Sequence, residues 1–131
     1  MEQLVSANAF PLLKEIKRGI EKESLRVGLD GFLSAKPHPE SLGSALTHPF
    51  ITTDYSEALL ELITPPSTDP EEPVRFLNQI HNYVYHQIGE EFLWNASMPC
   101  MMDKEEEIPI ARFGTSNIGQ MKYVYREGLG K

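Results

Sequence analysis

Two stretches of this 131-residue sequence carry carboxylates at spacings that could do chemistry. The first is Gly19-Ile20-Glu21-Lys22-Glu23-Ser24-Leu25-Arg26-Val27. In an extended chain side chains alternate, so Glu21, Glu23, Leu25 and Val27 share one face. Leu25 and Val27 mark that face as the buried one, and the two carboxylates go in with it. At two residues' rise they stand roughly 7 Å apart and repel by about 2 kcal/mol at an effective dielectric near 20. A pair so placed needs a cation, arginine partners or a raised pKa. A magnesium ion, with its hard oxygen ligands and retained waters, would satisfy it. The same spacing also fits a strand whose Glu21 and Glu23 lie beyond the sheet edge in water, and Glu-x-Glu is a common pattern.

The second stretch is Thr52-Thr53-Asp54-Tyr55-Ser56-Glu57-Ala58-Leu59-Leu60-Glu61-Leu62. Asp54 with Glu57 three residues on, ahead of an apolar run, is a capping-box pattern, and on that reading Glu57 and Glu61 form an exposed helical ridge. In a strand, Glu57, Leu59, Glu61 and Ile63 alternate instead, and Glu61 joins an apolar face as Glu21 and Glu23 do. Local propensity is divided: Ala58 to Leu62 favours helix, whereas Ile51-Thr52-Thr53 and Ile63-Thr64 favour strand.

The elements that must position these groups can be read around them. Residues 6–18 read as one short amphipathic helix with Leu12, Leu13 and Ile16 on a face and Gly19 as its stop. Ile20 to Val27 reads as a strand ended by the turn signal Asp30-Gly31, with Phe32-Leu33-Ser34 as a return strand. Residues 36–49 are a loop rich in turn formers. From Pro70 to about Phe92 the pattern is helical, because Val74, Leu77, Ile80, Val84 and Ile88 recur at three and four, with Asp69-Pro70 as its start. Trp94 to Glu107 is irregular, and its acidic run, 103–107, reads as a solvated loop. Ser116 to Leu129 reads as a last helix capped by Ser116 or Asn117.

Composition excludes several classes. The chain has 12 Lys+Arg against 19 Asp+Glu, a formal net charge of −7, which argues against a nucleic-acid partner bound through positive charge. Its apolar runs are too short to span a bilayer, so no membrane partner is expected. The start of the chain lacks a secretion signal, and the single cysteine, Cys100, rules out an internal disulfide; both suit a cytoplasmic location. His81 and His86, five apart on a helix, do not share a ligating face, and no phosphate loop, GxGxxG or GxSxG is present.

Several motifs, in order, then resemble one family. Arg18-Gly19-Ile20-Glu21-Lys22-Glu23-Ser24-Leu25-Arg26-Val27 is similar to the RG-hydrophobic-E-x-E-[ST]-LR stretch of bacterial glutamate–cysteine ligases. Residues 38–48, 51–61, 97–100, 114–117 and 125–129 agree with the same family in order and spacing. The resemblance implies an α+β fold, part of a glutamine-synthetase-like curved antiparallel sheet with flanking helices, and so favours strand at Glu61. It implies an ATP-dependent ligase that activates the glutamate γ-carboxylate as γ-glutamyl phosphate and passes it to the amine of cysteine. By the same resemblance, Glu21, Glu23, Asp54 and Glu61 belong to a Mg²⁺ cluster, Tyr55 and Tyr125 line the cysteine pocket, and Arg126 faces phosphate or carboxylate groups. Family members are several times longer. Residues 1–131 are therefore expected to be the N-terminal portion of a single catalytic domain, truncated, inactive alone and prone to self-association through uncovered faces. A related glutamate–amine ligase and a non-catalytic module acting by association are the alternatives.

Overall fold

The computed structural model describes residues 2–104, 106 and 108–129. Glu105 and Glu107 of the acidic run, and Gly130-Lys131, lie outside the described residues; Asp103, Lys104 and Glu106 are exposed, as a solvated loop requires. The chain opens with two short helices, α1 (Glu2–Ser6) and α2 (Phe10–Leu13), in place of one expected over residues 6–18. Asn8 divides them, because its left-handed φ of 48° turns the chain out of helical geometry. Leu12, Leu13 and Ile16 are exposed, so the expected apolar face is not buried within the described chain.

The strand expected at 20–27 forms as β1 (Glu21–Val27). The divided propensity of residues 50–64 resolves as two strands, β2 (Ile51–Thr53) and β3 (Leu59–Ile63), joined by a turn. The capping-box reading of Asp54 is therefore wrong: its N–H donates to the Leu59 carbonyl at 3.0 Å, which closes a hairpin. β4 (Phe92–Leu93) completes an antiparallel sheet of order β2-β3-β1-β4. Phe32–Ser34 makes single bridges, Val27 to Leu33 and Phe32 to Met101, but no return strand.

One face of the sheet carries the core. Ile51, Leu60 and Leu62 pack with Ile80, Val84 and Ile88 of α3 (Glu72–Gln87) and the α3 flank, and with Leu42 and Leu93. Each fully buried aliphatic side chain of this set contributes about 1.5–3 kcal/mol relative to exposure. Val74 of the expected helical stripe is exposed, and Phe76 packs against the core instead. Ahead of α3, Asp69 Oδ1 accepts the Glu71 N–H at 2.9 Å, the role expected of a start signal.

The last helix, α4 (Asn117–Leu129), is capped as expected: Ser116 Oγ accepts the Gly119 N–H at 3.1 Å. Gly119 is required by close approach, since a Cβ there would lie 2.2 Å from the Phe113 carbonyl oxygen. Its absence lets α4 sit directly on the 113–114 turn, beside the small cluster of Ala45, Ala111 and Phe113. Among the described residues no helix is long and apolar enough to cross a membrane.

Candidate functional site

The core face of β1 is the polar one. Ser24 and Arg26 point inward at 3% and 0% exposure, while Glu21 and Glu23 are exposed on the opposite side. Val27 is buried at the end of the strand as expected, but Leu25 is only half-buried and the two glutamates do not go in with them, which corrects the expected buried face. The physical reason is Arg26, which is inside because both of its terminal nitrogens are paired. Its Nη1 lies 2.7 Å from Glu91 Oε2, and its Nη2 donates to the carbonyls of Lys36 at 2.7 Å and Glu57 at 3.2 Å. The Ser34 hydroxyl donates to the other Glu91 oxygen. A buried arginine whose charge is met by a distant carboxylate is read as a surface residue by alternation alone.

The face that holds Glu21 and Glu23 is nevertheless a common face. Register sets Glu23 opposite Glu61 of β3, Thr52 of β2 beside Glu61, Glu21 opposite Ile63, and Leu25 opposite Leu59. Directly opposed residues on antiparallel strands have Cβ atoms about 4.5–5.5 Å apart. Three glutamates thus occupy adjoining positions on the open side of the sheet, and Asp54 follows at the end of β2. The Glu61 carboxyl is held above the usual carboxylate range, first by partial burial and then by the negative fields of Glu21, Asp54 and Glu23, with Lys122 opposing them.

The helix α4 faces this cluster. Arg126 Nη2 lies 3.1 Å from Asp54 Oδ1, an ion pair with the arginine side chain 14% exposed. Lys122, one turn earlier, stacks its Nζ 4.1 Å from the centroid of the Phe113 ring. Of the two tyrosines, Tyr55 lines an open cavity of about 510 Å³ next to the carboxylates, with Leu25, Leu59, Ile108 and Ile110. Tyr125 is 68% exposed and is not among that cavity's lining residues.

The donor set fits a hard divalent cation by chemistry: carboxylate oxygens grouped on one sheet face, open to water on one side. The ligand shell is not closed by protein alone. Among the described residues no group of three or more His, Cys, Asp or Glu converges tightly enough to hold a metal ion. Mg²⁺ uses one or two carboxylates and completes its octahedron with waters and phosphate oxygens, so an open carboxylate face suits it better than a finished cage.

Two buried carboxylates that brace the site's surroundings escaped sequence reading. Glu57 is buried and clamps two loops: its Oε1 accepts the His38 N–H at 2.9 Å and its Oε2 the Arg112 N–H at 2.6 Å. Glu91 is buried against Arg26, as above. The partners are between 19 and 65 residues away in sequence, so no local pattern marks either carboxylate.

Fold and site together define a class: an α+β segment whose antiparallel sheet presents carboxylates on an open face, with helix-borne cations turned toward them. Comparison with known proteins narrows it. The family model described as glutamate–cysteine ligase matches residues 1–131. The chain is 62% identical over 127 residues to a glutamate–cysteine ligase of Alcanivorax borkumensis, covering 97% of this chain and 24% of that protein. It is 57% identical over 126 residues to the ligase of Pseudomonas putida W619, covering 96% and 24%. Among solved structures, the Francisella tularensis glutamate–cysteine ligase in complex with AMP superposes with a TM-score of 0.82 at 43% identity, covering 87% of this chain and 23% of that one. A bifunctional glutathione synthetase from Pasteurella multocida superposes with a TM-score of 0.73 at 40% identity, covering 82% and 15%. The chain belongs to the glutamate–cysteine ligase family, and it spans about a quarter of the length of the curated relatives it matches.

Proposed function

We propose that this chain is the N-terminal portion of a cytoplasmic glutamate–cysteine ligase. The reaction joins the γ-carboxylate of glutamate to the amine of cysteine. The carboxylate takes the γ-phosphoryl group of ATP, releasing ADP; the amine then attacks the acyl carbon of γ-glutamyl phosphate and phosphate leaves. The observation that carries this reading is the placement of Glu21, Glu23 and Glu61 on one open sheet face, in a chain that matches the ligase family from end to end.

In this reading the face of Glu21, Glu23 and Glu61, with Asp54, would supply the carboxylates from which Mg²⁺ takes its protein ligands, and the ion when bound would offset the negative charge building on transferring phosphoryl oxygens. Asp54 divides its charge between that role and Arg126. Tyr55, at the mouth of the apolar cavity, and Tyr125 serve the amine substrate, and Arg126 serves an anionic group.

The test is made on the full-length gene product with ATP, Mg²⁺, glutamate and cysteine. γ-Glutamylcysteine and ADP are expected in equal amounts; neither product forming overturns the activity. Glu21→Gln and Glu23→Gln are each expected to cut turnover by at least tenfold with stability unchanged or raised, and kinetics equal to the parent's would remove the metal role.

A further inference from the structure

Lys122 and Arg126 stand four residues apart on α4 and so share a helical face. Both lie over one ring: Lys122 Nζ at 4.1 Å and Arg126 Cζ at 5.0 Å from the Phe113 centroid. Phe113 is 4% exposed, and Gly119 lets the helix approach its carbonyl, so the ring is held close beneath α4. Two like charges on one aromatic face repel each other and are held there by negative charge nearby.

The protein meets only part of that demand. Asp54 takes one arm of the Arg126 fork. The other arm, Nη1, is buried with no hydrogen-bond partner among the described residues. Lys122 lies in the field of Glu61 but forms no ion pair among the described residues. A buried guanidinium N–H without an acceptor is costly, and the cost is removed when an acceptor arrives.

The chemistry of that acceptor is constrained. A single carboxylate presents two coplanar oxygens, which one free guanidinium fork satisfies by itself. Here one arm of the fork is already committed and a second, compact cation stands a helical turn away. A tetrahedral group with several charged oxygens fits both donors at once, and Lys binds such groups as a point charge.

We propose that Lys122 is a second substrate-contacting residue, seated with Arg126 on Phe113 to receive phosphoryl oxygens opposite the carboxylate face. Phe113 is the positioning residue of the pair. The proposal rests on the reading of that face as a Mg²⁺–nucleotide site, and adds the side from which the phosphoryl group is held.

The experiment uses the full-length gene product labelled with ¹⁵N and ¹³C, with inorganic triphosphate as probe, in metal-free buffer and again with Mg²⁺. The Lys122 Nζ and Arg126 Nη resonances are expected to move together and saturate in the Mg²⁺ arm. Lys122→Gln should weaken the apparent affinity by about tenfold, the scale of one lost charge-assisted hydrogen bond, and Lys122→Arg should restore most of it. Phe113→Leu should weaken binding while far-UV circular dichroism stays unchanged. Equal affinity in Lys122→Gln and the parent, or a response to glutamate but not to triphosphate, overturns the proposal. Mg²⁺ alone, followed at the Glu61 side-chain carboxyl carbon, tests the metal reading separately. Loss of that response with a retained triphosphate response at Lys122 fails the metal reading and leaves the phosphoryl seat standing.

Discussion

Replacing Glu61 by Gln should make the isolated chain more stable at neutral pH, and the size follows from register. Glu61 faces Glu23 directly across β3 and β1, with Glu21 and Asp54 close enough to raise its pKa. Carboxylates at the ends of such opposed side chains stand about 6 Å apart, where unit charges repel by about 0.7 kcal/mol in water and about 3 kcal/mol at an effective dielectric of 20. The face is open to solvent, so the value nearer water applies, and the smaller contributions of Glu21 and Asp54 are partly offset by Lys122. Glu61→Gln keeps the shape and removes the charge, for a gain of about 1 kcal/mol, or about 3–5 °C in Tm for a chain of this size. The sign with pH is as follows. The folded pKa lies above the unfolded one, so the native state holds the proton more tightly and stability falls as pH rises through that window. Below the unfolded carboxyl pKa of about 4.3 the two proteins should be equally stable; the difference should grow through the window and level off above the raised folded value. Thermal unfolding from acid to neutral pH in a chelator measures this. Repeating it with Mg²⁺ should stabilise the parent and leave Glu61→Gln little changed. A variant less stable than the parent at neutral pH without metal, or a difference that ignores pH, would refute the reasoning.

Arg26→Ala should cost about 3–5 kcal/mol in urea unfolding, because it strands the buried Glu91 carboxylate; the double change Arg26→Met with Glu91→Leu should recover most of that loss. Gly119→Ala should lift α4 from the 113–114 turn, since its Cβ would meet the Phe113 carbonyl oxygen at 2.2 Å. Faster amide exchange confined to α4 is expected, with the Arg126–Asp54 pair lost, and unchanged protection there would count against the packing argument. Glu57→Gln turns an amide NH₂ toward a backbone N–H that now meets an acceptor. It should destabilise by about 1–3 kcal/mol, read from chemical denaturation.

Much of this was legible along the chain. β1 and α3 were readable because their periods, two and three to four, repeat over enough residues to outweigh local noise, and α4 because Ser116 caps it where a cap was expected. The carboxylates at 21, 23 and 61 could be recognised as candidates from strand alternation, and the ordered motifs carried the family resemblance. Residues 50–64 were divided in propensity, and tertiary context decided them: paired with β1 as a strand, β3 turns Leu60 and Leu62 onto the core of α3.

Sequence alone determined which residues are acidic, that they recur at strand spacing, and which family their order resembles. Tertiary structure decided which way they face. Arg26 goes inside because Glu91, 65 residues away, meets its charge, and that turns Glu21 and Glu23 to the open side. Arg126 reaches Asp54 across 72 residues, by way of a glycine that lets α4 close on Phe113. Local pattern records the cost of burying each side chain but not the partner that offsets it, and here the partner sets the face.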